Sequence, residues 1–269
     1  MAVGAVAAVV LVRWNLFAFA QMAHVLATSV AQAVDAVDYP IISLMNSYAR
    51  RSWSLDTLLY LINENPLATA PLLAAFWWAW FKEGEDTARN REFLLGGLLS
   101  SILSPVAVRF VSLLAPYRDR PLHNARLHFQ LPYNMSADRL IGWSSFPSDH
   151  GAVWFSLAAA VFLVSRRLGV LSFLYVCFTL APARIYLGIH YPSDILAGGL
   201  IGMAMVGLVK YQAFRTTVTR WPLECLRRWP QVFYVCFFLI TAEMAEGFSS
   251  VHDLQGYFSA ILKALLHRV

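Results

Sequence analysis

Two short polar clusters hold the residues whose types and spacing could do chemistry. One is Phe146-Pro147-Ser148-Asp149-His150-Gly151; the other runs from Arg184 through His190, Tyr191, Pro192 and Ser193 to Asp194. In each, a Pro lies close to a His and just ahead of an apolar helical pattern. Proline suits the first turn of a helix, where its missing N–H would have had no partner. The free amides of that turn, with the positive end of the helix dipole, favour phosphate. His190 and Asp194 are four residues apart, which places them on one face if a helix begins there. A carboxylate beside an imidazole fixes its tautomer and leaves the other ring nitrogen free to attack. His150 is suited to protonate a leaving oxygen. Arg120 and Arg184 offer planar forks that match phosphate oxygens. Ser148 adds a hydroxyl donor, and the amides around 148–151, up to Gly151, complete an anion cradle. The pattern reads as a phosphoryl-transfer centre. It calls for no metal and no cofactor, since nothing here has the carboxylate cluster a magnesium site would want.

The elements that must position these residues are membrane helices. Of 269 residues, 58% are hydrophobic and only 14% charged, against about 45–50% and about 25% in an ordinary soluble domain. The charge deficit falls in blocks as long as a bilayer is thick, which a span of about 20 residues requires. Apolar runs cover 62–81, 93–115, 151–164, 169–189 and 194–211, with a first membrane helix expected somewhere in 15–35. The reading is an all-α polytopic membrane bundle of about six spans. Gly198, Gly199, Gly202 and Gly207 permit close helix packing. Residues 1–58 read as an N-terminal arm, first helix and amphipathic connection, 59–211 as the catalytic core, and 212–269 as a cytoplasmic or interfacial helical tail. The run 231–242 is short for a span and is followed by Glu243 and Glu246.

The net charge is +5, and the basic residues sit in loops, which speaks for membrane topology and anionic lipid rather than nucleic acid. Arg166-Arg167, the 82–92 loop and the segment from Lys210 to Arg228 are basic and share the cytoplasmic side by the positive-inside rule. The 116–150 loop and residues 190–194 then meet on the opposite face, bringing Arg120, His150 and His190 together from separate parts of the chain. Arg109, inside an apolar run, is either at the membrane surface or part of the site. Cys177, Cys225 and Cys236 are odd in number and lack metal-ligand spacing, so they read as packing residues.

These motifs resemble the type 2 phosphatidic acid phosphatase superfamily, integral-membrane lipid phosphatases related to vanadium haloperoxidases. The family's third motif (Ser-Arg, five residues, His, three residues, Asp) is matched by Ala183-Arg184, His190 and Asp194, with Ala for Ser. The second, Pro-Ser-Gly-His, is matched by Pro147-Ser148-Asp149-His150, with Asp149 for Gly. The first survives as Arg120-Pro121, while its Lys position holds Leu113, so that Arg118 is the candidate stand-in for the lost cation.

The resemblance implies that His190 becomes a phosphohistidine, oriented by Asp194. It makes His150 the acid for the leaving group and then the base for water. Arg120, Arg184 and Ser148 bind phosphate, with Arg118, Asp149 and Gly151 around them. Asp149 beside phosphate costs binding unless its side chain turns away or meets a cation. Pro-Ser-Asp-His with Arg-x-Arg-Pro resembles the bacterial undecaprenyl-pyrophosphate phosphatase branch. That implies a lipid phosphate or pyrophosphate substrate at the periplasmic surface of a bacterial inner membrane, with membrane lipids as surroundings. Two alternatives stand beside hydrolysis: a lipid phosphotransferase using the same phosphohistidine, and a non-catalytic phospholipid-binding or transport relative, which Leu113 favours.

Overall fold

The computed structural model describes Ser29 and residues 31–247, and every regular element among them is helical. The helices are α1 (31–46), α2 (Trp53–Glu64), α3 (Ala70–Phe81), α4 (Thr87–Leu114), α5 (Asp149–Val164), α6 (Arg166–Tyr175), α7 (Ala181–Tyr186), α8 (Pro192–Gly207), α9 (Gln212–Arg228) and α10 (Pro230–Ala245). Three stretches are long and apolar enough to cross a membrane: Thr87–Leu114, Arg166–Tyr186 and Pro192–Lys210. Three shorter apolar helices, α3, α5 and α10, accompany them. This is a helical membrane protein. The expected first span in 15–35 falls largely outside the described residues, as does the end of the expected 212–269 tail, from 248 on. The part of the former that is described opens α1, and the expected connection at 36–58 is helix, turn and helix.

α5 is the central element. Ser148 caps it, its Oγ accepting from the Gly151 amide at 3.2 Å, which satisfies one of the orphan donors of the first turn. Ala152, Leu157, Ala158, Ala160 and Val161 are all buried, as expected of a helix enclosed by neighbours on every side. α8 crosses it closely. A Cβ on Gly198 would lie 2.0 Å from the Ser148 carbonyl oxygen, and one on Gly202 would lie 2.2 Å from that of Ala152. Gly199 meets Phe155, whereas Gly207 has open space around it. α8 itself begins with Pro192, and Asp194 accepts from the Tyr191 amide at 2.8 Å.

Two prolines are accommodated locally. Pro105 inside α4 leaves the Ser101 carbonyl without its usual amide, and the Ser104 hydroxyl donates to that carbonyl at 2.8 Å. Pro182 follows a π-helical segment, Val176–Leu180, that joins α6 to α7. Such segments shift a helix's register and are frequent at functional sites. Here the shift comes just ahead of Arg184.

The helix ends sort as the charge pattern implies. The 116–148 loop, the end of α7 and the start of α8 meet at one end, where Leu122 donates to the Gly188 carbonyl at 3.1 Å and Ser148 to that of Asp194 at 3.0 Å. At the other end Arg215 of α9 pairs with Glu92 of α4 at 3.2 Å. The segment read from sequence as a tail is two helices, α9 and α10, of which the second packs back on the core. α10 packs on α3 through Trp80 with Phe233 and Phe237 and through a Trp77 to Thr241 hydrogen bond of 3.3 Å. Gly247, two residues past its end, lies beside His150.

Candidate active site

Four elements bring His150, His190, Arg120 and Arg184 around one cavity of about 680 Å³. Arg120 comes from the loop before α5, His150 from the first turn of α5, Arg184 from α7 and His190 from the turn into α8. The cavity is of the size usual for small-molecule sites.

His190 is 2% exposed. Its Nδ1 lies 2.9 Å from the backbone carbonyl of Ser145. A carbonyl can only accept, so Nδ1 carries the proton and Nε2 keeps its lone pair. Arg120 Nη1, which can only donate, sits 3.4 Å from that Nε2 and agrees with the assignment. Burial lowers the His190 pKa below the ordinary imidazole value; Asp194 opposes this and Arg120 adds to it. The ring is therefore held neutral, with the nitrogen that can attack phosphorus turned to a buried cation.

Asp194 reaches His190 at one remove. Its Oδ2 is 3.7 Å from Nδ1, too long for a hydrogen bond. That oxygen instead accepts from the Ser145 hydroxyl and the Tyr191 amide. The carboxylate thus fixes Ser145, whose carbonyl orients the ring, and its charge remains close enough to favour an imidazolium. Ser145, which the sequence reading passed over, is the intermediary.

His150 is arranged differently. Its Nδ1 lies 2.8 Å from Asp149 Oδ1, and its edge faces Trp154. Asp149 therefore turns to His150 and not to Arg118 or the phosphate cradle, which resolves the cost expected of an acid at this position. Burial and the nearby Arg184 lower the His150 pKa, and the Asp149 carboxylate on its Nδ1 works against them in favour of the charged ring, the form that can give up an Nε2 proton. A Cβ on Gly247 would lie 2.8 Å from that Nε2, and Gly247 has φ 64°, so glycine is required at this edge of the cavity.

The two motif arginines differ in their partners. Arg120, 6% exposed, donates to the carbonyls of Ile189 at 2.8 Å and of Trp143 and Ser144 at 3.3 Å. These bonds lock its fork, and burial lowers its pKa. Arg184 is 7% exposed and makes no hydrogen bond or ion pair with any described residue; its Nε is buried without an acceptor, the Trp154 ring lies 5.3 Å from its charge, and the Asp149 carboxylate on the same cavity wall acts on it without bonding to it. An unpaired buried cation is costly and calls for an anion.

Four expected phosphate ligands are engaged otherwise, Asp149 while lining the cavity. Arg118 donates to Asp194 at 2.7 Å, to Ser193, Asp35 and Asp38 at 2.8 Å each, and lies 3.9 Å over the Tyr191 ring. Burial works against its charge, but Asp194 and the bonds to Asp38 and Asp35 outweigh that and raise its pKa. With three carboxylates around it and no place in this cavity's lining, Arg118 is turned away from phosphate; it ties α1 to the start of α8. Ser148 is fully buried as the α5 cap, and the Gly151 amide is spent on that cap. A Cβ on Gly151 would lie 2.8 Å from the Ile195 carbonyl oxygen, so Gly151 serves the crossing of α5 and α8. Asp149, as above, belongs to His150. Leu113, at the lost Lys position, is 74% exposed on α4 and lines no part of this cavity. Arg109 stacks on Trp143 at 4.6 Å, outside the cavity wall.

The model of the PAP2 superfamily matches residues 93–217. Escherichia coli K12 YbjG, whose name gives it provisionally as an undecaprenyl-diphosphatase, is 29% identical over 77% of this chain and 95% of its own. The undecaprenyl-diphosphatase BcrC of Bacillus subtilis 168 is 22% identical over 65% of this chain and 83% of its own. A decaprenylphosphoryl-5-phosphoribose phosphatase of Mycobacterium tuberculosis is 33% identical over 45% of this chain and 60% of its own. No solved structure matches significantly. With the second and third motifs gathered at one cavity in a helical membrane protein, residues 93–217 match the PAP2 superfamily, the chain is similar to bacterial undecaprenyl-diphosphatases, and it is a phosphatase.

Proposed function

We propose that this protein removes the terminal phosphate from a lipid phosphate or pyrophosphate, with undecaprenyl pyrophosphate as the best-fitting substrate, through a phosphohistidine on His190. The observation that carries the reading is Arg184, a buried guanidinium to which no described carboxylate bonds, on the wall that His190 and Arg120 share. A phosphoryl group placed there gives Arg184 its counter-charge, with Arg120 beside the attacking nitrogen. The names of the relatives support an isoprenoid pyrophosphate.

In the first step the His190 Nε2 lone pair forms a bond to phosphorus as the bond to the leaving oxygen breaks. His150 in its charged form, which Asp149 favours and which burial and Arg184 oppose, gives its proton to that oxygen. The His190 ring gains positive charge, which the nearby Asp194 carboxylate favours. In the second step water attacks phosphorus, His150 takes the water's proton, the N–P bond breaks and inorganic phosphate leaves. Arg120 and Arg184 hold the three equatorial oxygens throughout, where charge is spread. The basic residues at the other helix ends support a cavity on the periplasmic side of a bacterial inner membrane. Residues 59–211 supply the reacting groups.

The test is phosphate release by purified protein in detergent, with EDTA present, from undecaprenyl pyrophosphate, phosphatidate and phosphatidylglycerol phosphate. Release by the wild type and its loss in His190→Ala are expected, with acid-labile label trapped on the wild type only. Full activity in His190→Ala sinks the mechanism, and preference for a glycerolipid sinks the substrate.

A further inference from the structure

Arg139 lies in the 116–148 loop, outside all three family motifs, yet it lines the same cavity as Arg120, Arg184 and His190. It is held there. Its Nη2 donates to Glu64 Oε1 at 2.6 Å, and Asn63 of the same helix end donates to that oxygen as well. Its Nε is left without an acceptor. The next residue, Leu140, has φ 59°, a left-handed conformation that a bulky side chain adopts only at a cost. The turn is therefore bent to aim this segment at the cavity. Burial orders the cations: Arg120 and Arg184 are nearly enclosed, while Arg139 and Glu64 are each 31% exposed and mark the outer part.

We infer that Arg139 binds the second phosphate of a pyrophosphate substrate, the one that becomes the leaving group. This deepens the proposed function and rests on it. When the P–O–P bond breaks, the bridging oxygen's electrons stay with the inner phosphate, whose charge rises in the transition state. A cation against that phosphate stabilises the departure. A monophosphate ester differs: its leaving oxygen is an alkoxide with no further phosphate to hold, and it depends on the His150 proton. Arg139 thus selects an anhydride over an ester. It supplies the third cation that Leu113 cannot and that Arg118, enclosed by carboxylates, does not.

The experiment compares farnesyl diphosphate with farnesyl monophosphate on the full-length wild type, Arg139→Gln and Arg139→Lys in detergent. The Glu64 pair is partly exposed and contributes little to stability, so Arg139→Gln is expected to keep the wild-type melting temperature. Its kcat/KM for the diphosphate falls about tenfold to a hundredfold, the range of one charge-assisted hydrogen bond, while the monophosphate rate stays within about threefold. Arg139→Lys recovers part of the loss. In parallel, inorganic pyrophosphate raises the melting temperature of the wild type more than inorganic phosphate does, and Arg139→Gln abolishes the difference. Equal loss on both substrates, or no loss on either, overturns the inference and leaves the phosphohistidine mechanism standing. A wild type inactive on both substrates overturns the proposed function and this inference with it.

Discussion

Arg118 Nη1 donates to Asp194 Oδ1 at 2.7 Å, while the other oxygen of that carboxylate faces Ser145 and the His190 ring. One side chain therefore joins the catalytic turn to α1, because the same guanidinium reaches Asp35 and Asp38. Asp38 and Asp194 are almost wholly buried. Removing the cation between them leaves buried charge uncompensated, at a cost of about 3–5 kcal/mol. Arg118→Gln is expected to lower the unfolding free energy in detergent by that amount and to reduce kcat through a misplaced His190. An unchanged melting temperature with a raised KM alone would show a phosphate-binding arginine instead.

The pH dependence follows from the buried His190 ring. Attack needs Nε2 unprotonated, and the lowered pKa means the folded protein resists protonation where a free imidazole, at 6.5, would accept it. Activity that depends on neutral His190 is thus retained below pH 6.5 and lost only as pH falls through the lowered value. The acid limb of kcat/KM, which reports the free enzyme, is expected below 6.5. Histidine 15N NMR should show the same titration in a signal missing from His190→Ala. A limb at or above 6.5 contradicts the buried, neutral nucleophile.

Asp149 separates two accounts of a carboxylate beside a phosphate. If it supports a charged His150, Asp149→Asn and Asp149→Gly lower kcat on a monophosphate ester by roughly tenfold to a hundredfold, a fraction of what general acid catalysis supplies. KM is expected to hold or improve, since a negative charge has gone. If Asp149 only repels substrate, both variants raise activity, and Asp149→Gly, which restores the residue usual in the family, raises it most.

Much of the site was legible because reacting groups occur in fixed spacings and sit where apolar runs begin. His150, His190 and the motif arginines Arg120 and Arg184 meet as their order and the loop charges implied. The residues that hold them were not legible, for two reasons. Asp35, Asp38 and Asp56 read as the polar side of a connection because a carboxylate's partner is invisible in one sequence. In the structure Asp38 pairs with Arg118, and Asp56 accepts from Tyr186 and from the Tyr133 amide. Ser148 and Gly151 fit an anion cradle by type, but the same types cap helices and let helices touch, and packing decided between these uses. Arg139 had no motif around it, and only the folding of the loop over α2 brings it to the cavity.

Gly247 divides the site between two stretches of the chain. The family match ends at residue 217, yet part of the wall beside His150 comes from a residue thirty positions later, just past α10. Both histidines and both motif arginines precede that helix in the chain. The packing of α10 on α3 thus bears on the shape of the pocket at His150, although neither helix carries a reacting group.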